Sequence, residues 1–107
     1  MVLHPKARDA IRFFPKDVRG RLGRILFRFQ MGEQLRMPHS RAMPAVAAGV
    51  SELQVRGEDG VYRAFYCAAF GEGILVFHAF AKKTQQTPSH EIELARKHLK
   101  EILDETA

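Results

Sequence analysis

Val50-Ser51-Glu52-Leu53-Gln54-Val55-Arg56 runs into Gly57-Glu58-Asp59-Gly60 and then into Val61-Tyr62-Arg63-Ala64-Phe65-Tyr66-Cys67-Ala68-Ala69-Phe70. In the first segment Leu53 and Val55 share one side of a period-two pattern. Glu52, Gln54 and Arg56 share the other, as a half-buried strand requires. Gly57 to Gly60 is a turn cluster, and the run after it is rich in β-formers and aromatic residues. Gly71-Glu72-Gly73 marks a second turn, with Glu72 a hairpin residue, and Ile74 to Ala81 reads as a third strand. Three strands joined by short turns predict an antiparallel meander.

Outward from the meander the period changes to that of a helix. Residues 5–14 predict a short helix with Ala7, Ile11 and Phe14 inward. Pro15 suits the first turn of a second helix, where its missing N–H costs nothing. That helix runs to about Met31, with Val18, Leu22, Ile25 and Phe29 as its apolar stripe. Gly20 and Gly23 weaken it by about 1 kcal/mol each relative to alanine, so tertiary packing must supply most of its stability. Gly32 is placed to end it. Residues 33–49, with Pro38, Pro44 and Gly49, read as a long connection. After the meander, Thr87-Pro88 reads as a cap followed by proline, opening a helix whose buried stripe is Ile92, Ala95, Leu99 and Ile102. The order α-α-β-β-β-α, with room for a short extra strand at residues 1–3, is an α+β fold of helices on an antiparallel sheet. The 107 residues suit a single domain, 1–107.

Composition narrows the function classes. The chain is 46% hydrophobic and 27% charged, which fits a globular core and not a disordered segment. The apolar runs fall far short of the ~18 residues of a membrane span. Its start lacks the pattern of a signal peptide, and the lone Cys67 allows no internal disulfide. The expectation is a cytoplasmic protein with no membrane partner. The net charge of +5 is unevenly spread. Residues 1–41 hold ten basic and three acidic residues, a net of +7, and the remainder nets −2. A basic half suits a polyanion or an acidic protein partner. Arg21, Arg24 and Arg28 share a face of the second helix and are candidates for that contact.

Phosphate-binding glycine loops, HExxH and a nucleophile elbow are all absent from the sequence. His4, His39, His90 and His98 lack ligand spacing and read as scattered surface residues, so no metal or cofactor is expected. Cys67, mid-strand, reads as a packed and inert thiol. Tyr62, Phe65 and Tyr66 read as core or cross-strand residues, one of them free to stack on a base if the polar face binds RNA. Pairing Val55 with Tyr62 across the first turn puts Gln54 opposite Arg63. It gathers Glu52, Gln54, Arg56 and Arg63 on one sheet face, where spacing alone predicts a solvated surface. A two-residue second turn pairs Arg63 with Lys82 and brings His78 and Phe80 to that face; a three-residue turn flips the partners. Adjacent Lys82 and Lys83 lower each other's proton affinity.

Gly49-Val50-Ser51-Glu52-Leu53-Gln54-Val55-Arg56, Tyr62-Arg63-Ala64-Phe65-Tyr66, Val76-Phe77-His78-Ala79-Phe80-Ala81-Lys82-Lys83-Thr84-Gln85-Gln86-Thr87-Pro88 and Ile92-Glu93-Leu94-Ala95 together resemble the RelE/ParE toxin superfamily. The likeness spans roughly residues 8–104 and is nearest the HigB-like, phage-derived branch. It implies the RelE-like fold and a type II toxin that cuts mRNA on the ribosome without metal. The other implied readings are a ParE-like gyrase inhibitor and an inactive toxin that only binds its antitoxin. The implied partners are a helix-turn-helix antitoxin, HigA-like, and the ribosome with its mRNA, operator DNA being met through the antitoxin. Residue by residue, Arg63 matches the central-strand arginine that stabilises the phosphate. Lys82 and Lys83 match the basic strand end, as general acid or clamp. Glu52 or His78 is the implied base. Arg56, Gln54, Gln85, Arg21, Arg24 and Arg28 are the implied RNA contacts. Many members carry lysines where this chain has Glu52 and Gln54.

Overall fold

The computed structural model describes residues 1–32, 40–69, 73–82 and 87–106. Eight elements follow one another: β1 (Val2–Leu3), α1 (Pro5–Arg12), α2 (Lys16–Gln30), β2 (Ser40–Ala42), β3 (Ser51–Gly57), β4 (Gly60–Ala69), β5 (Gly73–Lys82) and α3 (Ser89–Thr106). The strands form one mixed sheet of order β1-β5-β4-β3-β2. β3, β4 and β5 are the expected antiparallel meander, and β1 adds to β5 in parallel. The architecture is α+β, with five strands where the meander alone accounts for three.

Alternation along the strands divides the core in two. Leu53, Val55, Tyr62, Ala64 and Ala79 share one face and pack with Ala7, Phe14, Val18, Leu22 and Leu26 of the first two helices and their junction. Phe65, Phe80, Leu75 and Phe77 share the other face and pack with Ala95 of α3, joined by the half-buried Ile92, Leu99 and Ile102. Helices therefore cover both faces of the sheet.

Local chemistry explains the helix ends. His4 caps α1, its Nδ1 accepting from the Lys6 N–H at 3.0 Å, with Pro5 at the position where no N–H is missed. α2 starts just after Pro15 and carries Asp17 in its first turn and Arg28 in its last, both favourable to the helix dipole. The Met31 N–H closes back onto the helix at the Phe27 carbonyl, and Gly32 follows at φ +100°, where glycine is at little cost.

Three expectations are corrected. The connection read over residues 33–49 contains a strand, since β2 pairs antiparallel to Ser51–Leu53. Its three residues, Ser-Arg-Ala, offer no apolar alternation to reveal it. The second hairpin follows neither expected register: Arg63 pairs with Phe80, and Val61 with Lys82. A bulge gives Phe77 no partner of its own, so that Phe77 and His78 both turn to the α3 side. The third correction concerns the polar face. Glu52 is 0% exposed and Arg63 5%, so the face read as solvated is closed at its centre. Gly71 and Glu72 lie outside the described residues.

Candidate functional site

Glu52 stands near the start of β3, directly opposite Arg41 on β2 and Phe65 on β4. Its carboxylate is fully buried and satisfied by four donors. Oε1 accepts from Arg63, from Arg41 Nε at 3.2 Å and from Gln54 Nε2 at 3.3 Å. Oε2 accepts from the Thr87 hydroxyl at 3.0 Å. A buried carboxylate survives in its charged form only with such compensation. Arg63 is the matching buried cation. Its Nε has no acceptor among the described residues, so one donor of the guanidinium is left over. Sequence reasoning named Glu52, Gln54 and Arg63 but missed Arg41 and Thr87. Arg41 lies on the strand that pattern does not reveal. Thr87, read as a helix cap, donates its hydroxyl to the sheet at Glu52 Oε2.

On the same face a histidine cluster joins α1, β5 and α3. His78 is 5% exposed, and its Nε2 lies 2.7 Å from Glu91 Oε1. Its Nδ1 lies 3.1 Å from Nδ1 of His98. The His98 ring stacks on His4 with centroids 4.5 Å apart. Burial holds both His78 and His98 below the ordinary histidine range, with Glu91 opposing the shift at His78. His4 and His98 are thus core residues, a correction to their reading as surface positions. The signal was present: His98 stands three residues after Ala95 and four before Ile102, on the buried stripe of α3. His90 is exposed as expected, and His39 lies outside the described residues. No group of metal-ligating side chains occurs among the described residues.

The third feature is a cleft of roughly 410 Å³ between α2 and β3. It is lined by Arg21, Arg24, Ile25 and Arg28 of the helix and by Gln54, Val55 and Arg56 of the strand. Helical spacing sets the three arginines on one side of α2, and the buried stripe of α2 turns that side toward β3. β2 pairs no further along β3 than Leu53, and the cleft lies where β3 runs on past it. Arg21 also bonds Asp17 at 3.2 Å, one turn away. Five of the six residues expected to contact RNA therefore share one cleft. The sixth, Gln85, and the expected catalytic Lys83 lie outside the described residues. Lys82 ends β5, paired through its backbone with Val61.

Tyr62, Phe65 and Tyr66 are all buried, the reading that placed them in the core, and none is free to stack on a base. Cys67 is half-buried, and burial pushes its thiol above the usual range, away from a reactive thiolate.

Residues 9–100 match the family model described as phage-derived protein Gp49-like (DUF891). The chain belongs to this family. The Gp49-like family is toxin-like and related to the RelE/ParE-type toxins, which places the chain in a toxin–antitoxin context. No curated protein matches the chain. Within this Gp49-like member, the arginine cleft and the Glu52–Arg63 centre share Gln54, which lines the first and bonds the second. No helix among the described residues is long and apolar enough to cross a membrane.

Proposed function

We propose that the protein is the toxin of a type II toxin–antitoxin pair of the HigB-like branch, with the RelE-like fold, and that it cuts mRNA on the translating ribosome in the cytoplasm. One observation carries the reading beyond the family. The charge asymmetry of the sequence becomes a polarity between the faces of the sheet. α1 and α2 carry eight basic and two acidic residues, a net of +6, whereas α3 carries three and five, a net of −2. A small domain that concentrates a net positive charge on one layer suits a polyanion.

RNA cleavage of this class requires little beyond positioned charges. The 2′-oxygen passes its proton to a water molecule and attacks the adjacent phosphorus. The bond from phosphorus to the 5′-oxygen breaks, and that oxygen takes up a proton. The resemblance gives Arg63 the charge that stabilises the phosphoryl oxygens; with its guanidinium buried on Glu52, it acts on them through its field and not by contact. Lys82 or Lys83 supplies the proton or clamps the leaving group. Glu52 serves here to hold Arg63, since four donors already occupy its carboxylate. His78, held between Glu91 and His98, secures α3. The proposed partners are a helix-turn-helix antitoxin, with operator DNA met through it, and the ribosome.

The test is expression without an antitoxin, followed by mapping of RNA 5′ ends across translated messages. A Lys82→Ala/Lys83→Ala chain serves as the control. Arg63→Ala is a poor control because it strands the buried Glu52 carboxylate and unfolding then mimics loss of catalysis. Cuts confined to translated frames and absent from the double-lysine variant are expected. Growth arrest with intact messages refutes the nuclease and points to gyrase, and the absence of arrest leaves an inactive toxin.

A further inference from the structure

We propose that His4, His78 and His98 form an acid-sensitive latch, which holds α3 on the sheet while the rings are neutral and frees it when they take up protons. The latch stands apart from the nuclease reading, because none of the three rings has a part in that chemistry.

The rings come from three places: the cap of α1, the middle of β5 and the middle of α3. Each residue is more than nine-tenths buried. On the sheet side His78 meets the rings of Phe65 and Phe80, with centroids 5.8 and 5.6 Å from its own. On the α3 side it meets Glu91 Oε1 and His98 Nδ1. The His98 ring touches both other histidines, His78 at 5.1 Å between centroids and His4 at 4.5 Å. α3 turns two carboxylates to the cluster. Glu91 is one, its second oxygen 3.3 Å from the exposed His90, and Glu101 is the other, 3.6 Å from His4 Nε2. The charged residues of α1, Lys6, Arg8, Asp9 and Arg12, are exposed. The charges buried on this face of β3 and β4 are Glu52 and Arg63, bonded to each other.

The closed cluster has little room for added protons. A neutral imidazole keeps one bare nitrogen as an acceptor, and a charged one has none. Nδ1 of His78 faces Nδ1 of His98 across 3.1 Å, so one hydrogen fits between them. With both rings charged, two N–H groups oppose each other there. Nδ1 of His4 accepts the Lys6 N–H that opens α1, and a charged His4 loses that cap. A single charge has a place, on His78 beside Glu91. Burial disfavours the charged forms of His78 and His98, and neighbouring histidines add to the effect, against the pull of Glu91 and Glu101. Opening exchanges these contacts for water and lets every ring charge.

α3 is the element placed to give way. β5 is fixed by strand pairing on both sides, to β1 and to β4, whereas α3 is held through its side chains. Ala95 is fully buried, but Ile92, Leu99 and Ile102 are half-buried. A helix stabilised by one packed face loses most of its stability when that face is undocked. Release uncovers Phe65, Phe77 and Phe80. It also draws Thr87, just before α3, away from the Glu52 carboxylate, so the latch ties that buried centre to pH.

The experiment is amide hydrogen exchange of the full chain, read by NMR at each residue and corrected for the intrinsic pH dependence of exchange. Each histidine that takes up a proton on opening favours the open state by up to about tenfold per pH unit below the ordinary histidine range. Protection of residues 92–102 is expected to lie below that of Leu22, Leu26 and Val55 in the first core, and to fall by roughly tenfold or more from pH 7 to pH 5. In the same samples the ring resonances of His78 and His98 are expected to titrate in step with that loss. His78→Gln/His98→Leu is expected to flatten the decline, and His90→Gln, at an exposed position, to leave it in place, with circular dichroism verifying each fold.

α3 protection that is level from pH 7 to pH 5 overturns the latch. So does exchange of α3 and the first core as one unit at pH 5, because acid then unfolds the whole chain. Rings that titrate while α3 stays protected overturn it without any variant. A decline that persists in a folded double variant, or that His90→Gln abolishes, removes the buried rings as its cause.

Discussion

The Glu52–Arg63 pair is the strongest single commitment of the fold, and a double-mutant cycle tests it. Glu52 is 0% and Arg63 5% exposed, so water cannot replace either partner in the native state. Removing one member of a buried ion pair costs about 3–5 kcal/mol, because the survivor keeps its desolvation penalty without its compensation. Glu52→Gln belongs at the upper end of that range. It strands an arginine whose Nε already lacks an acceptor among the described residues, and it unsettles Arg41, Gln54 and Thr87 together. Arg63→Met belongs at the lower end, since the carboxylate keeps three donors, among them Arg41 with its side chain 38% exposed. Replacing both by apolar residues, Glu52→Leu with Arg63→Met, removes the buried charges together, and such exchanges are often close to neutral. Urea unfolding at neutral pH gives the four stabilities, with the midpoint shift read at constant slope. The double variant is expected to be more stable than the sum of the single losses by at least about 2 kcal/mol. Single losses below about 1 kcal/mol, the size seen for exposed pairs, would refute the buried pair.

Two further outcomes follow from other parts of the molecule. Burial lowers the proton affinity of His78 and His98 in the folded chain relative to the ordinary 6.5, so below that pH the unfolded chain binds more protons. Stability is then full above about pH 6.5 and declines on acidification toward the depressed folded values, and His78→Gln is expected to flatten that decline in urea titrations. A stability that is level between pH 7 and pH 5 refutes the cluster's burial. Gly57→Ala places a Cβ 2.9 Å from both the Tyr62 ring and the Val18 side chain, two groups fixed in the first core. Overpacking of this kind costs about 1–3 kcal/mol, and a thermal melt unchanged from the parent contradicts the contact.

The meander and the helices were legible because each rests on local pattern. Leu53 and Val55 alternate with Glu52 and Gln54, and Val18, Leu22 and Ile25 recur at helical spacing, whatever the rest of the chain does. β2 was not, since three residues carry no period and are a strand only through β3, and the room left for a short strand at residues 1–3 is filled by β1 through its pairing with β5. The bulge at Phe77 was hidden for a related reason. A turn fixes register only as far as the first irregularity, and this one lies beyond the turn.

The candidate site divides along the same line. That Arg21, Arg24 and Arg28 share a face was readable, being a matter of spacing within one helix. That this face meets Gln54 and Arg56 was not, because it depends on how α2 lies on the sheet. Glu52 shows the limit most clearly. A carboxylate among arginines reads as solvated because burying charge is costly, and the cost is offset here by donors 2, 11 and 35 residues away in sequence. No local window contains that compensation. A family likeness names the strand position of Arg63 without saying whether the side chain is open to a substrate or closed on a carboxylate. Loss of toxicity in a single Arg63 variant therefore cannot separate chemistry from folding. The Glu52→Leu/Arg63→Met chain can: if it folds as stably as the parent and still fails to arrest growth, the pair is needed for more than the core.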